Sequence, residues 1–445
     1  MWYTGLKNFE RRSDTMGKRK IIQVEDRLPL GQMIPLSIQH VFAMFGASVL
    51  VPILFGIHSG IVLLMNGVGT LLFILITKGK APAYLGSSFA FLAPAGIVIA
   101  EMGFEYAQGG FVVVGLLGCI VALIVWKFGT DWIDIVLPPA AMGPVVALIG
   151  LELASNTVKG GAIGADLMAV NPAGGLMISP TMEMGDVLVF AVTLGVAIFG
   201  SVLFRGFFSV IPLLIAMVCG YVTACLVGIV DFTPLKETAL FTMPQFHLAK
   251  FDLQAILTIC PVLLVITAEH IGHQVVTGKI VDRDLLKEPG LHRSLLGDNI
   301  SSAISGLVGS VPTTTYGENI GVMAVTGVYS TRVIAGAGIF SILMAFVGPL
   351  SAFITTIPGD VIGGITFLLY GMIGTSGLRI LVDKQVDYSK NRNLILTSVV
   401  FVAGLSGLTI SFGSVSISGM TLAAVTAMVI SLIFYGLDKA NLMND

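Results

Sequence analysis

The sequence predicts an all-α protein that crosses a membrane many times, and two observations carry this prediction. The chain of 445 residues is 55% hydrophobic and only 11% charged, whereas soluble globular domains carry about 25% charged residues. Apolar runs of about 20 residues, the length that crosses a bilayer as a helix, recur along the chain. A surface this apolar needs lipid around it. The net charge of −2 gives no indication of nucleic-acid binding.

Fourteen segments are predicted to be transmembrane. Eleven are strongly apolar, and three are short, rich in small residues, or interrupted by Gly and polar residues. The strong segments are 32–54, 59–77, 108–126, 138–154, 186–204, 206–230, 253–276, 330–355, 361–378, 393–410 and 418–437; the weak ones are 83–100, 297–310 and 312–326.

The distribution of Lys and Arg supports this count. Over alternating connections, 21 of the 24 basic residues fall on one side, and Lys159, Lys236 and Lys250 fall on the other. Basic residues accumulate in cytoplasmic loops, so both termini are predicted to be cytoplasmic. Residues 1–29 then form a cytoplasmic extension, 231–252 an external loop and 438–445 a cytoplasmic tail. The extension is polar and basic and lacks the apolar core of a signal peptide.

Seven spans per half is an odd number, so duplicated halves would insert in opposite orientations. The halves are 30–230 and 253–437. Traces of repetition are visible in the fifth and twelfth spans, where Pro138, Gly143 and Gly150 resemble Pro358, Gly363 and Gly371. The third span of each half begins near a proline, Pro82 or Pro312, and continues through polar, aromatic and Gly residues. Interrupted spans at matching places indicate a binding site at mid-membrane; a pair of kinked packing helices is the alternative.

Few ionisable side chains lie deep within the predicted spans. Glu269, His270 and His273 lie in span eight and Glu318 in span ten. A charged group at the bilayer centre costs about 2.5–3.5 kcal/mol on insertion scales, so each is a functional candidate. Glu269 and His273 are four residues apart and share a helix face, so they can hydrogen-bond and hold or pass a proton. The alternative is a buried pair that only fixes helix packing.

Other candidates favour structural roles. Glu152 lies near a span end, which is typical of an interfacial carboxylate, and His40 is predicted to be a core histidine bonded to a polar neighbour in a broken span. Glu101 and Glu105 are expected on the outer surface. No metal is predicted, because His270 and His273 lack the His-Glu-x-x-His order of zinc proteases. The cysteines, predicted to be small core residues, are Cys119, Cys219, Cys225 and Cys260.

The segment 318–327 resembles the signature of the nucleobase–ascorbate transporter family: Gln/Glu/Pro, Asn, any residue, Gly, four of any, Thr, then Arg/Lys/Gly. The matching residues are Glu318, Asn319, Gly321, Thr326 and Gly327. Segments 39–47 and 81–91 share the resemblance, which extends from residue 27 to residue 435 and is strongest to the uracil-transporting bacterial members of the family.

The resemblance implies a secondary transporter that imports uracil with a proton by alternating access, without a cofactor, in the bacterial inner membrane. It implies a core domain of spans 1–4 and 8–11 and a gate domain of spans 5–7 and 12–14, with short antiparallel strands opening spans three and ten. A homodimer is left open.

The resemblance also assigns roles around the base. Glu269 and Glu318 bind it through their carboxyls, and the backbone at Phe89 and Gly317 meets a ring carbonyl. Ala47, Phe89 and Tyr316 pack around the ring, Tyr370 approaches from the gate, and His273 assists proton coupling together with the two carboxyls. Asn319, Gly321 and Thr326 support the motif. These groups suit uracil, whose N–H groups donate to carboxylates, whose carbonyls accept from backbone N–H groups, and whose face stacks on aromatic rings.

Four alternatives remain open at this point. A xanthine or urate symporter of the same family is the nearest. An anion exchanger of the same inverted fold fits less well, since two carboxyls would face the site. An intramembrane enzyme would need a nucleophile and base or a metal cluster, and a channel would need a continuous polar stripe along several spans; neither pattern is found in the sequence.

The charge distribution gives a direct test of topology. A periplasm-dependent reporter enzyme fused after Asp445 should be inactive in cells, while a cytoplasm-dependent reporter at the same place should be active. The same pair of reporters inserted within 231–252 should give the opposite result. Periplasmic activity after Asp445 would refute the predicted orientation.

Overall fold

The computed structural model of the chain describes residues 21–158, 168–170, 176–178, 183–412 and 415–443. The predicted extension 1–29 is therefore described only from residue 21, and Lys159 and the last two residues of the predicted tail lie outside the described residues. Most of the described chain is helical, in agreement with the all-α prediction.

The described residues of the first half contain eight α-helices. They are α1 (Leu30–Phe55), α2 (Ser59–Ile76), α3 (Leu92–Met102), α4 (Phe104–Phe128), α5 (Asp131–Val136), α6 (Pro139–Val158), α7 (Met184–Leu203) and α8 (Pro212–Val227). The strand β1 (Leu85–Ser87) and a 3₁₀ turn (Phe89–Phe91) precede α3, and a second 3₁₀ turn (Gly206–Val210) precedes α8. A hairpin of β2 (Met168–Val170) and β3 (Leu176–Ile178) lies between α6 and α7.

The second half contains ten α-helices among its described residues. Its helices are α9 (Thr233–Glu237), α10 (Leu253–Ile259), α11 (Val262–Val281), α12 (Leu291–Val308), α13 (Gly317–Thr326), α14 (Thr331–Ala345), α15 (Gly348–Thr355), α16 (Gly359–Asp383), α17 (Asn391–Leu405) and α18 (Gly419–Lys439). The strand β4 (Thr313–Thr315) precedes α13, a π turn (Leu286–Gly290) precedes α12, and β5 (Thr409–Phe412) and β6 (Val415–Ser418) form a hairpin.

Length and hydropathy single out helices that can cross a membrane. Among the described residues, seven helical stretches are long and apolar enough: α1, α2, α4, α7, α10 with α11, α16 and α18. Five shorter apolar helices coincide with further predicted spans, and they are 89–102, 139–154, 212–227, 331–345 and 391–405. The predicted spans 297–310 and 312–326 belong to neither group, because α12 and α13 carry many Ser, Asn and Gly residues.

Several predicted boundaries differ from the structure for local reasons. Span eight is broken into α10 and α11 at Cys260–Pro261, since proline lacks the N–H that would continue the helix. The predicted span 330–355 is likewise two helices, α14 and α15. The two hairpins β2–β3 and β5–β6 were not predicted by the sequence analysis.

Glycines allow α6 and α16 to pack with their backbones in close contact. A Cβ at Gly150 would lie 2.2 Å from the carbonyl oxygen of Tyr370 and 2.4 Å from the nitrogen of Gly374. A Cβ at Gly377 would lie 2.3 Å from the nitrogen of Ala147. These are the fifth and twelfth predicted spans, in which the repeated Pro and Gly pattern was noticed. Gly371, by contrast, has no neighbouring atom within 4 Å of its Cβ position.

One end of the molecule is fastened by the segment that precedes α1. The N–H of Ile22 donates to the carbonyl of Gly327 at 2.9 Å, the N–H of Tyr329 donates to the carbonyl of Ile22 at 2.8 Å, and Val24 is fully buried. Glu25 pairs with Arg283, and that hydrogen bond lowers the pKa of the Glu25 carboxyl. Lys80 pairs with Glu288 at the same end, with the same effect on the pKa of Glu288.

The opposite end carries its own ion pair. The N–H of Lys250 donates to the carbonyl of Glu105 at 2.9 Å, and their side chains form a salt bridge. Glu101 is exposed nearby, and Glu105 is partly exposed. Helix α4 has Glu105 in its first turn and Trp126 near its other end. Trp126 lies beside His292, which is at the start of α12 and four residues after Glu288 of the first ion-paired end. The two ion-paired ends therefore lie at opposite ends of α4.

The contact between α6 and α16 yields a stability prediction. Gly150→Ala should lower the melting temperature in detergent, because the added methyl group meets backbone atoms, and overpacking costs about 1–3 kcal/mol. Gly371→Ala, its control, should leave stability unchanged or raised, because alanine is favoured over glycine in helices by about 1 kcal/mol. Equal melting temperatures for the two variants would contradict the close packing.

Candidate functional site

Two short strands meet where the broken spans of the two halves come together. β1 pairs with β4 in antiparallel register, with Leu85 opposite Thr315 and Ser87 opposite Thr313. The pairing continues at both ends, where the N–H of Ser88 donates to Pro312 at 2.9 Å and that of Tyr316 donates to Tyr84 at 3.1 Å. Each strand leads into a helix, so two helix N-termini with free N–H groups flank the same small ladder.

Hydroxyl groups satisfy the outer edges of this ladder. Thr70 of α2 accepts the N–H of Leu85 at 2.9 Å, and Ser302 of α12 accepts the N–H of Thr313 at 3.1 Å and donates to its carbonyl at 2.8 Å. A two-stranded ladder has two open edges, and unsatisfied backbone groups are costly away from water. The hydroxyls therefore take the place of further strands.

The side chain of Tyr316 lies across the ladder and holds its two strands together. Its hydroxyl donates to the carbonyl of Ser87 at 2.6 Å. Its ring lies on Gly86, where an added Cβ would be 1.7 Å from a ring carbon. The side chain is only 4% exposed. Glycine at position 86 is therefore required by the close approach of the ring, and Tyr316 forms part of the wall of the site.

Exposure shows which residues face an accessible space. In the stretch 81–90 every residue is buried except Phe89, and in the stretch 311–320 every residue is buried except Gly317 and Glu318. On α11, Glu269 and His273 are partly exposed, while His270 between them is fully buried. Phe89, Gly317, Glu318, Glu269 and His273, which were predicted to act at the site, are thus all at least partly exposed.

His273 is fixed against the strand β4. Its Nδ1 lies 3.0 Å from the hydroxyl of Thr315, and its Nε2 lies 3.7 Å from the Cβ position of Gly317. The predicted hydrogen bond between His273 and Glu269 is not present among the described residues. The strand lies closer to the imidazole than the carboxyl does, so Thr315 takes the hydrogen bond that helical spacing suggested for Glu269.

The carboxyls of Glu269 and Glu318 differ from most buried carboxyls in their hydrogen bonding. Glu318 lies in the first turn of α13, where a negative charge is favoured by the helix dipole. Within the part of the chain that the structure describes, no side chain or N–H group of another residue donates a hydrogen bond to Glu269 or Glu318. Their oxygens are therefore available to accept hydrogen bonds from a ligand.

The remaining predicted binding residues occupy three positions. Ala47 lies in α1, and its side chain is not among those that the structure describes. Phe89 begins the 3₁₀ turn after β1 and packs partly buried against three hydrophobic clusters. Tyr370 lies in α16, 3% exposed, within the cluster that Phe89 also contacts.

Most signature residues build the scaffold of α13. The side-chain amide of Asn319 donates to the carbonyl of His40 at 3.2 Å and lies 3.1 Å from its Nδ1, which confirms the prediction of a bonded core histidine. Thr326 accepts the N–H of Val328 at 3.2 Å, and Gly327, with φ +70°, ends the helix. Gly321 places its Cβ position 3.5 Å from Val210.

Glu152 has a capping role. Its carboxylate accepts the N–H of Met420 at 2.9 Å and so caps the start of α18. Its side chain is half-buried, and its predicted position at the membrane interface stays a prediction. The described residues contain no group of three or more His, Cys, Asp or Glu that could hold a metal ion.

Sequence reasoning missed the polar residues that support the site. Thr70, Ser302 and Thr315 are small and uncharged, and nothing in a single sequence separates them from other membrane Ser and Thr residues. Asp298, which contacts His270, is a charged residue in the weak predicted span 297–310. The sequence therefore did indicate that Asp298 has a role, because an acidic residue in a span is costly and needs a partner.

Comparison with known proteins identifies relatives along nearly the whole chain. Residues 31–413 match the model of Xan_ur_permease, a permease family. The uracil permease of Escherichia coli (strain K12) is 51% identical over 416 residues, which are 94% of each chain. That of Paenibacillus larvae is 50% identical over 428 residues, 96% of this chain and 100% of the relative. That of Bacillus subtilis (strain 168) is 42% identical over 427 residues, 94% of this chain and 96% of the relative.

Solved structures with the same fold are distant in sequence. The transmembrane domain of a cyanobacterium bicarbonate transporter has a TM-score of 0.57 at 15% identity, covering 92% of this chain and 100% of that one. Murine solute carrier 26 family member A9, an anion transporter in an inward-facing state, has a TM-score of 0.68 at 9% identity, covering 93% and 69%. At these identities the likeness shows the fold alone.

The hydroxyl-capped ladder yields a second prediction. Thr70→Val keeps the shape of the side chain but leaves the N–H of Leu85 without its acceptor, which should cost about 1–3 kcal/mol and increase amide exchange at Leu85. Thr366→Val is the control, because Thr366 is equally buried and its hydroxyl bonds only within its own helix. If both variants melt at the same temperature, the edge bond is not stabilising.

Proposed function

Because the chain belongs to the Xan_ur_permease family of permeases, which are transporters and not enzymes, we propose that it imports uracil together with a proton by alternating access. Relatives at 50–51% identity over nearly the full length are uracil permeases, which supports this cargo. The single observation that carries the site assignment is the accessible pair of carboxyls, Glu269 and Glu318, beside the paired strands.

We propose fourteen spans in two inverted sevens. The first seven would be α1, α2, β1 with α3, α4, α6, α7 and α8. The second seven would be α10 with α11, α12, β4 with α13, α14, α16, α17 and α18. The pattern of helix contacts supports this division, because the most extensive contacts are retained when each span is exchanged for the span seven places away.

The exchange can be followed through several pairs. The contact of α4 with α12 becomes that of α14 with α2, and the contact of α7 with α8 becomes that of α17 with α18. The contact of α6 with α17 becomes that of α16 with α7. The pairs α6–α16 and β1–β4 each map onto themselves, so both would lie on the pseudo-two-fold axis. Thr70 and Ser302, the two ladder hydroxyls, are exchanged in the same way.

In this proposal spans 1–4 and 8–11 form the core domain that carries the site, and spans 5–7 and 12–14 form the gate. Support comes from the packing of α6, α7, α8, α16, α17 and α18 mainly on one another. Tyr370 of α16 and the site residue Phe89 belong to one hydrophobic cluster, so the gate would meet the site there. Rocking of one domain against the other would then open the site alternately to each side.

Uracil fits the groups available between these elements. Its two N–H groups would donate to Glu269 and Glu318, and its carbonyls would accept from the backbone N–H groups at Phe89 and Gly317, where helices begin. Phe89 would pack against its face, with Tyr316 and Ala47 around the ring. A purine would have to place an additional ring in the same space.

Proton coupling would follow from the charge of the empty site. Two anionic carboxyls facing the same cavity repel one another, and moving them unpaired between the membrane faces would be costly. Protonation of one carboxyl would remove that cost, and His273, held by Thr315, would transfer the proton. We place both termini in the cytoplasm and the protein in the bacterial inner membrane, which agrees with the ion-paired basic loops at the end that includes residues 21–29.

The decisive assay is uptake of labelled uracil into liposomes that contain the purified protein, driven by a pH gradient. Unlabelled uracil should compete strongly, xanthine weakly and sulfate not at all, and collapse of the gradient should abolish accumulation. Strong competition by xanthine would indicate a purine symporter instead, and competition by sulfate would indicate an anion exchanger.

The two carboxyls should each be required for binding. Glu269→Gln and Glu318→Gln keep the size of the side chain but replace one acceptor oxygen by an amide. Loss of a hydrogen bond to a charged group costs about 1.5–3 kcal/mol, which corresponds to roughly ten- to hundredfold weaker uracil binding. Glu152→Gln, which alters a half-buried carboxylate away from the site, should bind normally. Near-normal affinity in both site variants, measured by calorimetry on folded protein, would refute the site.

A further inference from the structure

A second ionisable pair lies directly behind the proposed binding face of α11. His270 follows Glu269 in sequence and therefore points to a different side of the helix. It is fully buried, and its Nδ1 lies 3.3 Å from the Oδ2 of Asp298 on α12, which is 3% exposed. The ring of Phe73 meets the imidazole edge-on at a centroid distance of 6.2 Å. The pair is thus enclosed by α2, α11 and α12.

The surroundings of this pair offer few hydrogen bonds. The contact has the distance of an ion pair but not the alignment of a hydrogen bond, and neither the Nε2 of His270 nor the Oδ1 of Asp298 has a hydrogen-bond partner among the described residues. A single charge left here by removal of its partner would be strongly destabilising. An acid and a base that share one proton are together neutral, whichever of them holds it.

Asp298 is also close enough to the site to influence it. It contacts His270, and His270 is the residue that follows Glu269 in α11. Without a compensating base, three carboxyls would share one low-dielectric region, where repulsion between like charges is much stronger than in water.

We propose that His270 and Asp298 are positioning residues that form a charge-cancelling pair: the pair fixes α11 against α12 and keeps the charge of Asp298 from acting on Glu269. The proposal rests on the proposed role of Glu269 in binding uracil. His270 does not contact substrate; it acts by leaving Glu269 free to take or release its own proton and to accept from the base.

Other ionisable groups around the pair are few. α11 contributes Glu269 and His273, with Lys279 in its last turn, and α13 contributes Glu318. α2 contains no ionisable residue, and α4 contains Cys119 in its middle and Glu105, Tyr106 and Lys127 near its ends; α6 contributes Glu152, and α12 itself contributes His292 and Arg293 at its start. His270 is therefore the base in direct contact with Asp298.

The test is a double-substitution cycle on the full-length protein in detergent, with uracil affinity and melting temperature measured for each variant. His270→Asn leaves Asp298 uncompensated and should weaken uracil binding at least about tenfold, the equivalent of 1.4 kcal/mol. Asp298→Asn removes the charge together with the need for compensation and should change affinity by less than about threefold, or 0.7 kcal/mol. The double variant, which carries two neutral amides, should bind nearly as well as Asp298→Asn alone.

Recovery of binding in the double variant separates charge cancellation from packing. If His270 only fills space, the double variant should be no better than His270→Asn, and that result would overturn the proposal. If His270→Asn does not fold, restored folding and binding in the double variant support the pair, and failure of both overturns it. Wild-type protein and Glu152→Gln are run alongside. Absence of uracil binding in the wild type would overturn the proposed function instead, while the melting temperatures of the cycle would still decide whether the pair cancels charge.

Discussion

The antiparallel contact between β1 and β4 is the interaction on which the rest of the site depends. A helix satisfies its own backbone, whereas a break in a helix inside a bilayer exposes N–H and C=O groups that water cannot reach. Here the two breaks satisfy one another, and Thr70 and Ser302 complete the outer edges. Both helices restart beside the ladder, so their first N–H groups, which have no partner within the helix, lie close to it. In the proposed function, the same arrangement that satisfies the broken backbone would also supply the N–H groups that bind the ligand.

This constraint also explains which parts could be predicted from sequence. The helices followed from apolar runs, and the two breaks followed from Pro82, Pro312 and the polar residues after them. Glu269 and Glu318 were conspicuous because charge is rare in such a chain. The partner of His273 was predicted wrongly, since helical spacing is local, whereas Thr315 comes from a strand that only tertiary structure brings near. Roles taken from the family resemblance, such as those of Ala47 and Tyr370, stay predictions.

The ionisable groups within the helical layer fall into two kinds. Some are fully engaged by protein: His40 is held by Asn319, Glu152 caps α18, and His270 faces Asp298. Others, Glu269 and Glu318, have no donor from another described residue and border an accessible space. Composition alone could not separate these kinds, because both are equally unusual residues in a span. The distinction lies in which side of a helix each residue occupies, as adjacent Glu269 and His270 show.

The family signature in 318–327 can now be divided by physical role. Asn319 ties α13 to α1, Thr326 and Gly327 terminate the helix, and the carbonyl of Gly327 receives the N–H of Ile22 from the segment before α1. Of the signature residues, Glu318 is the one that borders the accessible space with its carboxyl free. A short helix that begins at a binding site must be held along its length by other contacts, since ten residues are too few to be stable by themselves. Most of the signature therefore specifies how α13 is held, and in the proposed function one position, Glu318, would contact the ligand.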